Sequence, residues 1–145
     1  MDFELTSAQS RVQQEARRFA EQEVAPLARE ADERGVFPLH LVKRMGELGF
    51  LAGPIEPEYG GTGMDYVSYA LLCEELGRAD SSVRGFLTVH TSLVSLCIRD
   101  WGSEEQKRRY LPRLASGELI GCYALTEPNA GSDAASLEST AREEG

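Results

Sequence analysis

The sequence is poor in the residues from which disulfide frameworks and metal sites are built. It has three cysteines, Cys73, Cys97 and Cys122, and two histidines, His40 and His90. An odd number of cysteines spread over apolar stretches does not fit the disulfide framework of a secreted protein. The histidines lie far apart without clustered carboxylates, so no metal site is expected. We therefore expect a reducing, cytoplasmic environment.

Basic residues and long apolar runs are also scarce. Lys and Arg number 15 against 24 Asp and Glu, which gives a formal net charge of −9 at pH 7. This surplus of negative charge excludes a nucleic-acid backbone as an expected partner. The N-terminus lacks the regions of a signal peptide, and no run is long enough to span a bilayer, so we expect a soluble protein with no membrane span.

Helical periodicity with clear start signals is what the sequence does contain. Thr6 with Gln9, and Ser103 with Gln106, form the capping-box pattern that begins a helix. Pro112 is expected to bend or end the second of these helices. These signals predict a mainly α-helical bundle.

Two further helices are predicted after the capping residues Asp65 and Asp80. Both carry apolar residues on more than one face, which favours central positions in the bundle. Trp101, at the end of the second, is interpreted as a packing residue.

The pattern changes after residue 118. Residues 119–126 form a short apolar run that predicts a strand, and Pro128, Asn129 and Gly131 follow as turn formers. We therefore divide the chain into an N-terminal α-helical domain, residues 1–118, and the start of a truncated β-domain, residues 119–145.

The junction of this strand and turn has the composition of a site for a planar, acceptor-rich ligand. Thr126 offers a hydroxyl to a polar edge, and Tyr123 and Leu125 offer an apolar face. Gly131 lets the backbone approach a phosphate or pantetheine chain, and Ser132 adds a donor. The residues alone leave open an ordinary strand-to-turn junction.

Three runs carry a resemblance to a known family. They are PEYGGTG (57–63), GSEEQKRRYLPRLASGE (102–118) and CYALTEPNAGSD (122–133). Together they resemble the N-terminal region of the acyl-CoA dehydrogenases, and the likeness extends over essentially the whole chain in the family's order.

The resemblance implies FAD as cofactor and an acyl-CoA as substrate. The positions that correspond to FAD contacts are Tyr123, Leu125, Thr126, Gly131 and Ser132, and Ser132 also corresponds to a position near the substrate. The implied reaction is α,β-dehydrogenation of the thioester, as in fatty acid or amino acid catabolism. Electrons would pass through FAD to an electron-transferring flavoprotein, and full-length relatives are usually homotetramers.

The chain departs from the family in length, because the family continues into a β-domain and a C-terminal bundle that bears the catalytic glutamate. None of Glu104, Glu105, Glu118 or Glu127 matches that base, so no catalytic residue is assigned. We expect the chain by itself to be inactive. The competing hypothesis is a non-catalytic helical interaction module that retains the fold.

The run SVRGFLTVHTS (82–92) is similar to the corresponding part of the glutaryl-CoA dehydrogenases, which use an arginine for a dicarboxylic acyl chain. Arg84 and Thr88 are accordingly candidate substrate contacts. The alternative for Arg84 is a solvated group or one paired with Asp80. His90 is interpreted as a hydrogen-bonded core or pocket-wall residue rather than a base.

Overall fold

The computed structural model describes residues 4–143, and the chain there is mainly α-helical, as predicted. The helices are α1 (Ser7–Phe19), α2 (Ala25–Arg34), α3 (His40–Glu47), α4 (Tyr66–Ala79), α5 (Ser81–Thr88), α6 (Leu96–Trp101) and α7 (Glu104–Ala115). Segments of π-helix, Ala20–Val24 and Val89–Ser95, join α1 to α2 and α5 to α6. Short 3-10 turns lie at Pro57–Tyr59 and Ala134–Ser136. Among these described helices, none has both the length and the apolar character needed to cross a bilayer.

Both predicted capping boxes are confirmed. The Gln9 N–H donates to Thr6 Oγ1 at 3.2 Å, and the Thr6 N–H donates to Gln9 Oε1 at 3.0 Å. Ser103 and Gln106 repeat this exchange at the start of α7. A side-chain cap of this kind stabilises a helix by about 1 kcal/mol. Of the two outcomes predicted for Pro112, termination is wrong, because α7 continues to Ala115.

Asp65 and Asp80 cap α4 and α5, also as predicted. Asp65 Oδ1 accepts from Ser68 N at 2.8 Å. Asp80 Oδ1 accepts from the main-chain N–H groups of Ser82 and Val83 at 2.7 and 2.8 Å. Asp65 also accepts from the Gln9 side chain of α1 at 3.3 Å, so its carboxylate links two helices as well as capping one.

The core consists of two clusters of buried side chains. The larger lies among α1, α3, α4 and α5, with Met45, Leu72 and Leu87 fully buried. The smaller lies between the loop before α4 and α7, with Ile55 and Leu111 at its centre. Each such side chain stabilises the fold by about 1.5–3 kcal/mol through removal of its surface from water.

The predicted central positions of the two apolar helices are only partly correct. Tyr66 and Val67 of α4 are 62% and 50% exposed, and Trp101 at the end of α6 is 87% exposed. A helix that is apolar on several faces needs a neighbour on each of them. Residues 4–143 supply those neighbours on one side, so the interpretation of Trp101 as a packing residue is wrong within this part of the chain.

The strand predicted over residues 119–126 is not formed. This stretch has no regular secondary structure, and the pairing that follows it is an isolated bridge between Glu127 and Ala130. A strand is stabilised by hydrogen bonds to a neighbouring strand. No such neighbour exists among the described residues, so an apolar, β-tolerant composition is not sufficient here.

Candidate functional site

The segment that leaves α7 is held tightly against the rest of the bundle. Leu119 N–H donates to Arg113 O at 3.0 Å, and Gly117 turns the chain in the left-handed region with φ of 75°. A side chain at Gly46 of α3 would collide with the main-chain carbonyl of Ser116. These contacts fix where the candidate cofactor segment begins.

His90 joins this segment to the end of α7. Its Nε2 lies 3.0 Å from Leu114 O, and its Nδ1 accepts a hydrogen bond from Gly121 N at 3.2 Å. An Nδ1 that accepts carries no proton, so the ring is the neutral tautomer that donates through Nε2–H. The side chain is fully buried, and Phe86 stacks on it at 5.6 Å between ring centroids. The predicted hydrogen-bonded core role of His90 is confirmed.

Burial lowers the pKa of His90 below its ordinary value of 6.5, and the hydrogen bond to Leu114 only partly opposes this effect. No charged side chain contributes to the shift. Arg113 and Glu118, which flank the two partner segments, instead form an ion pair with each other at 2.8 Å. The neutral ring that the hydrogen bonds require is therefore the stable form.

The π-helical segment Val89–Ser95 places further polar groups in the interior, and the sequence did not reveal it. Thr91 Oγ1 donates to Leu51 O at 2.8 Å, and Ser95 Oγ donates to His90 O at 2.9 Å. Such segments interrupt α-helices, often at functional sites. A run of buried polar residues in an otherwise apolar helix is the signal that was available.

The predicted cofactor contacts of residues 122–126 lie on the surface. Tyr123 is 50% exposed, Leu125 is half-buried and Thr126 is exposed. Within residues 4–143, no main-chain N–H from 122 to 126 has a hydrogen-bond partner. The segment therefore presents free donors beside an aromatic side chain.

A tight turn brings the second group of predicted contacts next to the first. Glu127 N donates to Ala130 O at 2.8 Å, and Ala130 N donates to Glu127 O at 3.3 Å. A Cβ at Gly131 would lie 3.7 Å from Thr126 Cγ2. Thr126, Gly131 and the exposed Ser132 are thus brought together at one end of the segment.

Glu127 organises the loop that follows, a role that the sequence did not reveal. Its carboxylate accepts from Glu138 N at 2.7 Å and from Ser139 N at 3.0 Å. Hydrogen bonding by the Ser139 side chain, followed by the main-chain bond from Glu138, lowers the pKa of this carboxyl. The adjacent Pro-Asn turn marked the position as structural but gave no indication of partners more than ten residues away.

Arg84 and Thr88 both lie on α5, and they differ in whether their side-chain donors are free to bind a ligand. Thr88 Oγ1 donates to Arg84 O and Gly85 O at 3.2 and 3.1 Å, so its proton is used by its own helix. The Arg84 side chain is half-buried and packs beside Gly77. Among residues 4–143 it forms no ion pair or hydrogen bond, so the pairing with Asp80 considered from the sequence is wrong.

The candidate substrate contacts on α5 and the candidate cofactor contacts after α7 do not touch each other directly. Within the described ranges, no hydrogen bond or ion pair links Arg84 or Thr88 to residues 122–132. They are connected through α5, which carries Arg84, and the π-helical segment that follows it, which carries His90. The three cysteines are free, and residues 4–143 contain no group of three or more His, Cys, Asp or Glu that is placed to hold a metal ion.

Comparison with known proteins identifies the family. The family described as acyl-CoA dehydrogenase, N-terminal domain, matches residues 6–118. A short-chain specific acyl-CoA dehydrogenase of Clostridium acetobutylicum is 48% identical over 145 residues, which are 100% of this chain and 38% of that protein.

Solved structures agree with the sequence match. A chain in the structure of the electron transferring flavoprotein of Acidaminococcus fermentans superposes with a TM-score of 0.95 at 40% identity, covering 100% of this chain and 38% of that one. A glutaryl-CoA dehydrogenase from Mycobacterium smegmatis in complex with FADH2 superposes with a TM-score of 0.91 at 39% identity, and the match covers 97% of this chain and 36% of that one. The chain thus spans little more than a third of the length of these relatives. It belongs to the acyl-CoA dehydrogenase N-terminal domain family, which confirms the resemblance inferred from the sequence.

Proposed function

We propose that this chain forms the helical, flavin-contacting part of an FAD-dependent acyl-CoA dehydrogenase. The observation that carries the proposal is the run of unpartnered N–H groups in residues 122–126, next to a turn that holds Thr126 against Gly131. Residues 119–145 are the start of a second domain in this proposal. The name of the Clostridium acetobutylicum relative supports the reaction class.

The exposed groups of this segment fit a flavin. An isoalloxazine ring needs directional donors at its polar edge and flat apolar contact on its face. The free N–H groups and the Thr126 hydroxyl meet the first need, and the exposed Tyr123 ring with Leu125 meets the second. Gly131 and Ser132 leave space and a donor for a phosphate or the substrate's pantetheine chain. We propose these five residues as the FAD contacts, with Ser132 also near the substrate.

When bound, FAD would accept the β-hydrogen of an acyl-CoA as hydride, while a carboxylate removes the α-proton. The carboxylates named earlier are poor candidates for that base. Glu127 is held by Glu138 and Ser139, Glu118 pairs with Arg113, and Glu104 pairs with Arg108. Glu105, the fourth, is exposed in the first turn of α7. We therefore assign no base in this chain and propose that another part of the complete polypeptide supplies it.

Arg84 is the proposed determinant of acyl-chain specificity, with Thr88 beside it in the substrate site. A half-buried guanidinium without an internal anion is suited to bind a substrate carboxylate. The glutaryl-CoA dehydrogenase from Mycobacterium smegmatis supports a dicarboxylic acyl chain. A monocarboxylic short-chain substrate is the alternative, supported by the Clostridium acetobutylicum relative.

The remaining parts of the proposal concern partners and location. An electron-transferring flavoprotein as electron acceptor is supported by the relative found in the Acidaminococcus fermentans structure. We also propose a homotetramer for the complete polypeptide. A cytoplasmic location is consistent with the free state of the three cysteines.

The test is to purify the complete polypeptide to which this chain belongs and record its visible spectrum. A yellow protein whose flavin is bleached by butyryl-CoA or glutaryl-CoA under anaerobic conditions is the expected result. A colourless protein that takes up no added FAD would instead favour the non-catalytic helical interaction module, for which the exposed Trp101 would be a natural contact.

A further inference from the structure

The ring of His90 is the last point at which the chain is fixed before the candidate cofactor segment. The hydrogen bond from Gly121 to Nδ1 precedes residues 122–126, which have no main-chain N–H partner within residues 4–143. The next fixed point is the turn at Glu127 and Ala130. The placement of Tyr123 and Leu125 therefore depends on these two anchors.

We propose that His90 is a positioning residue for the flavin-contacting segment, acting through Gly121, and this inference rests on the function proposed above. The neutral ring ties α7 and residues 122–126 to the π-helical segment by two bonds of 3.0 and 3.2 Å. It does not touch the reactants itself, because it is fully buried and both nitrogens are engaged. General-base chemistry by His90 is thereby excluded.

The two bonds are not equivalent. Leu114 O also accepts from Gly117 N at 3.0 Å, so it keeps a partner when the histidine is removed. The Gly121 N–H has His90 as its one partner among the described residues. The positioning effect is therefore carried by the Nδ1 acceptor rather than by the Nε2 donor.

A second feature fixes Gly121 independently of the hydrogen bond. A Cβ at this position would lie 2.7 Å from Val94 Cγ1, a distance too short for two carbon atoms. The cofactor segment therefore lies directly against the π-helical segment that carries His90, and position 121 has no room for a larger residue. A side chain at position 121 would push the cofactor segment away from Val94 while leaving the His90 ring unchanged.

Two substitutions of His90 distinguish the role of Nδ1 from that of Nε2. In His90→Asn the amide oxygen takes the position of Nδ1 and still accepts from Gly121, whereas His90→Gln places its amide near Nε2 and leaves Gly121 without a partner. In the apo form of the complete polypeptide, FAD affinity and the flavin absorption spectrum are measured by titration. We expect His90→Asn to bind within about threefold of wild type and His90→Gln to bind about tenfold more weakly, which is the effect of roughly one hydrogen bond.

Amide hydrogen exchange of Gly121, measured without FAD, tests the contact itself. We expect a protected amide in wild type and His90→Asn and a fast-exchanging amide in His90→Gln. Equal FAD affinity of the two variants, or a freely exchanging Gly121 amide in wild type, would overturn the inference while the proposed flavin function stands. Absence of FAD binding by wild type would instead remove the proposed function and the positioning role with it, even if the Gly121 amide is protected.

Two glycine substitutions provide a second test that remains informative if His90→Gln does not fold. Gly121→Ala should weaken FAD binding through the collision with Val94 while His90 remains intact. Gly85→Ala, on α5, meets no atom within 4 Å and is the matched control that should leave FAD affinity unchanged. Equal affinity of these two variants would contradict the role assigned to Gly121.

Discussion

Glu75 of α4 and Arg17 of α1 form a two-pronged ion pair at the edge of the main core. Arg17 Nη2 and Nε donate to the two carboxylate oxygens at 2.6 and 3.1 Å, and Arg78 adds a third bond at 3.0 Å. Glu75 is 3% exposed, and its pKa is lowered mainly by the hydrogen bond from Arg17. A buried carboxylate satisfied in this way fixes the first helix against the centre of the bundle.

Replacing Glu75 by Gln is expected to lower the free energy of unfolding by about 1–3 kcal/mol, because charge-assisted bonds to a buried group are lost. Circular-dichroism melting measures this change. Glu33→Gln is the matched control, since Glu33 pairs with Arg29 at side-chain exposures of 61% and 90%. Exposed ion pairs of this type contribute little to the free energy of unfolding. An equal drop in Tm for both variants would contradict the importance of the buried pair.

Stability is expected to fall as pH decreases below 6.5, the ordinary pKa of histidine, because His90 has a lowered pKa in the folded chain. The unfolded chain takes up a proton first, so the contribution of neutral His90 is complete above that value and is lost toward lower pH. Glu75, also with a lowered pKa, acts in a separate window below its ordinary value of 4.5. Urea unfolding at a series of pH values measures both.

His90→Asn is the control for this pH dependence. It removes the titrating ring and keeps an acceptor for Gly121, so the slope between pH 6.5 and 4.5 should become shallower. A slope identical to that of wild type would show that other groups titrate in this window. The second histidine, His40, is exposed and remains in both proteins.

Glu127→Gln is expected to loosen the loop after the tight turn and to weaken FAD binding. An amide offers one acceptor oxygen in place of the two that receive Glu138 N and Ser139 N. Faster amide exchange at positions 138 and 139 would report the change directly. Glu118→Gln serves as the control, because its partner Arg113 lies on the exposed side of α7. Unchanged exchange in the Glu127 variant would contradict this role.

Arg84→Ala is expected to impair the enzyme selectively toward a dicarboxylic substrate. The KM for glutaryl-CoA should rise by about tenfold or more, as befits the loss of a charge-assisted contact of roughly 1.5–3 kcal/mol. A monocarboxylic acyl-CoA of similar size should be affected much less. Steady-state kinetics of the complete polypeptide with both substrates measures the difference. Equal losses would show that Arg84 does not contact a substrate carboxylate.

Local signals in the sequence predicted the helix starts well, because a cap depends on residues three positions apart. Thr6 with Gln9 is such a case. The strand over residues 119–126 was predicted wrongly, because its formation depends on a partner strand that composition does not reveal. Its role as a cofactor segment stays a prediction.

The organisation of the candidate site depended on contacts between residues distant in sequence. His90 was correctly predicted to be hydrogen-bonded, but its partners Leu114 and Gly121 lie 24 and 31 positions away. The π-helical segment around it spans Val89–Ser95. The polar residues His90, Thr91 and Ser95 in an otherwise apolar helix are the signal for it in the sequence, but they do not reveal which groups they contact.

Trp101 gives this chain a built-in optical reporter. It is the single tryptophan of the sequence and is 87% exposed at the end of α6. Its fluorescence therefore reports on water contact at one face of the bundle. A blue shift of the emission will register the arrival of any neighbour on that face, without a label and without interference from a second indole.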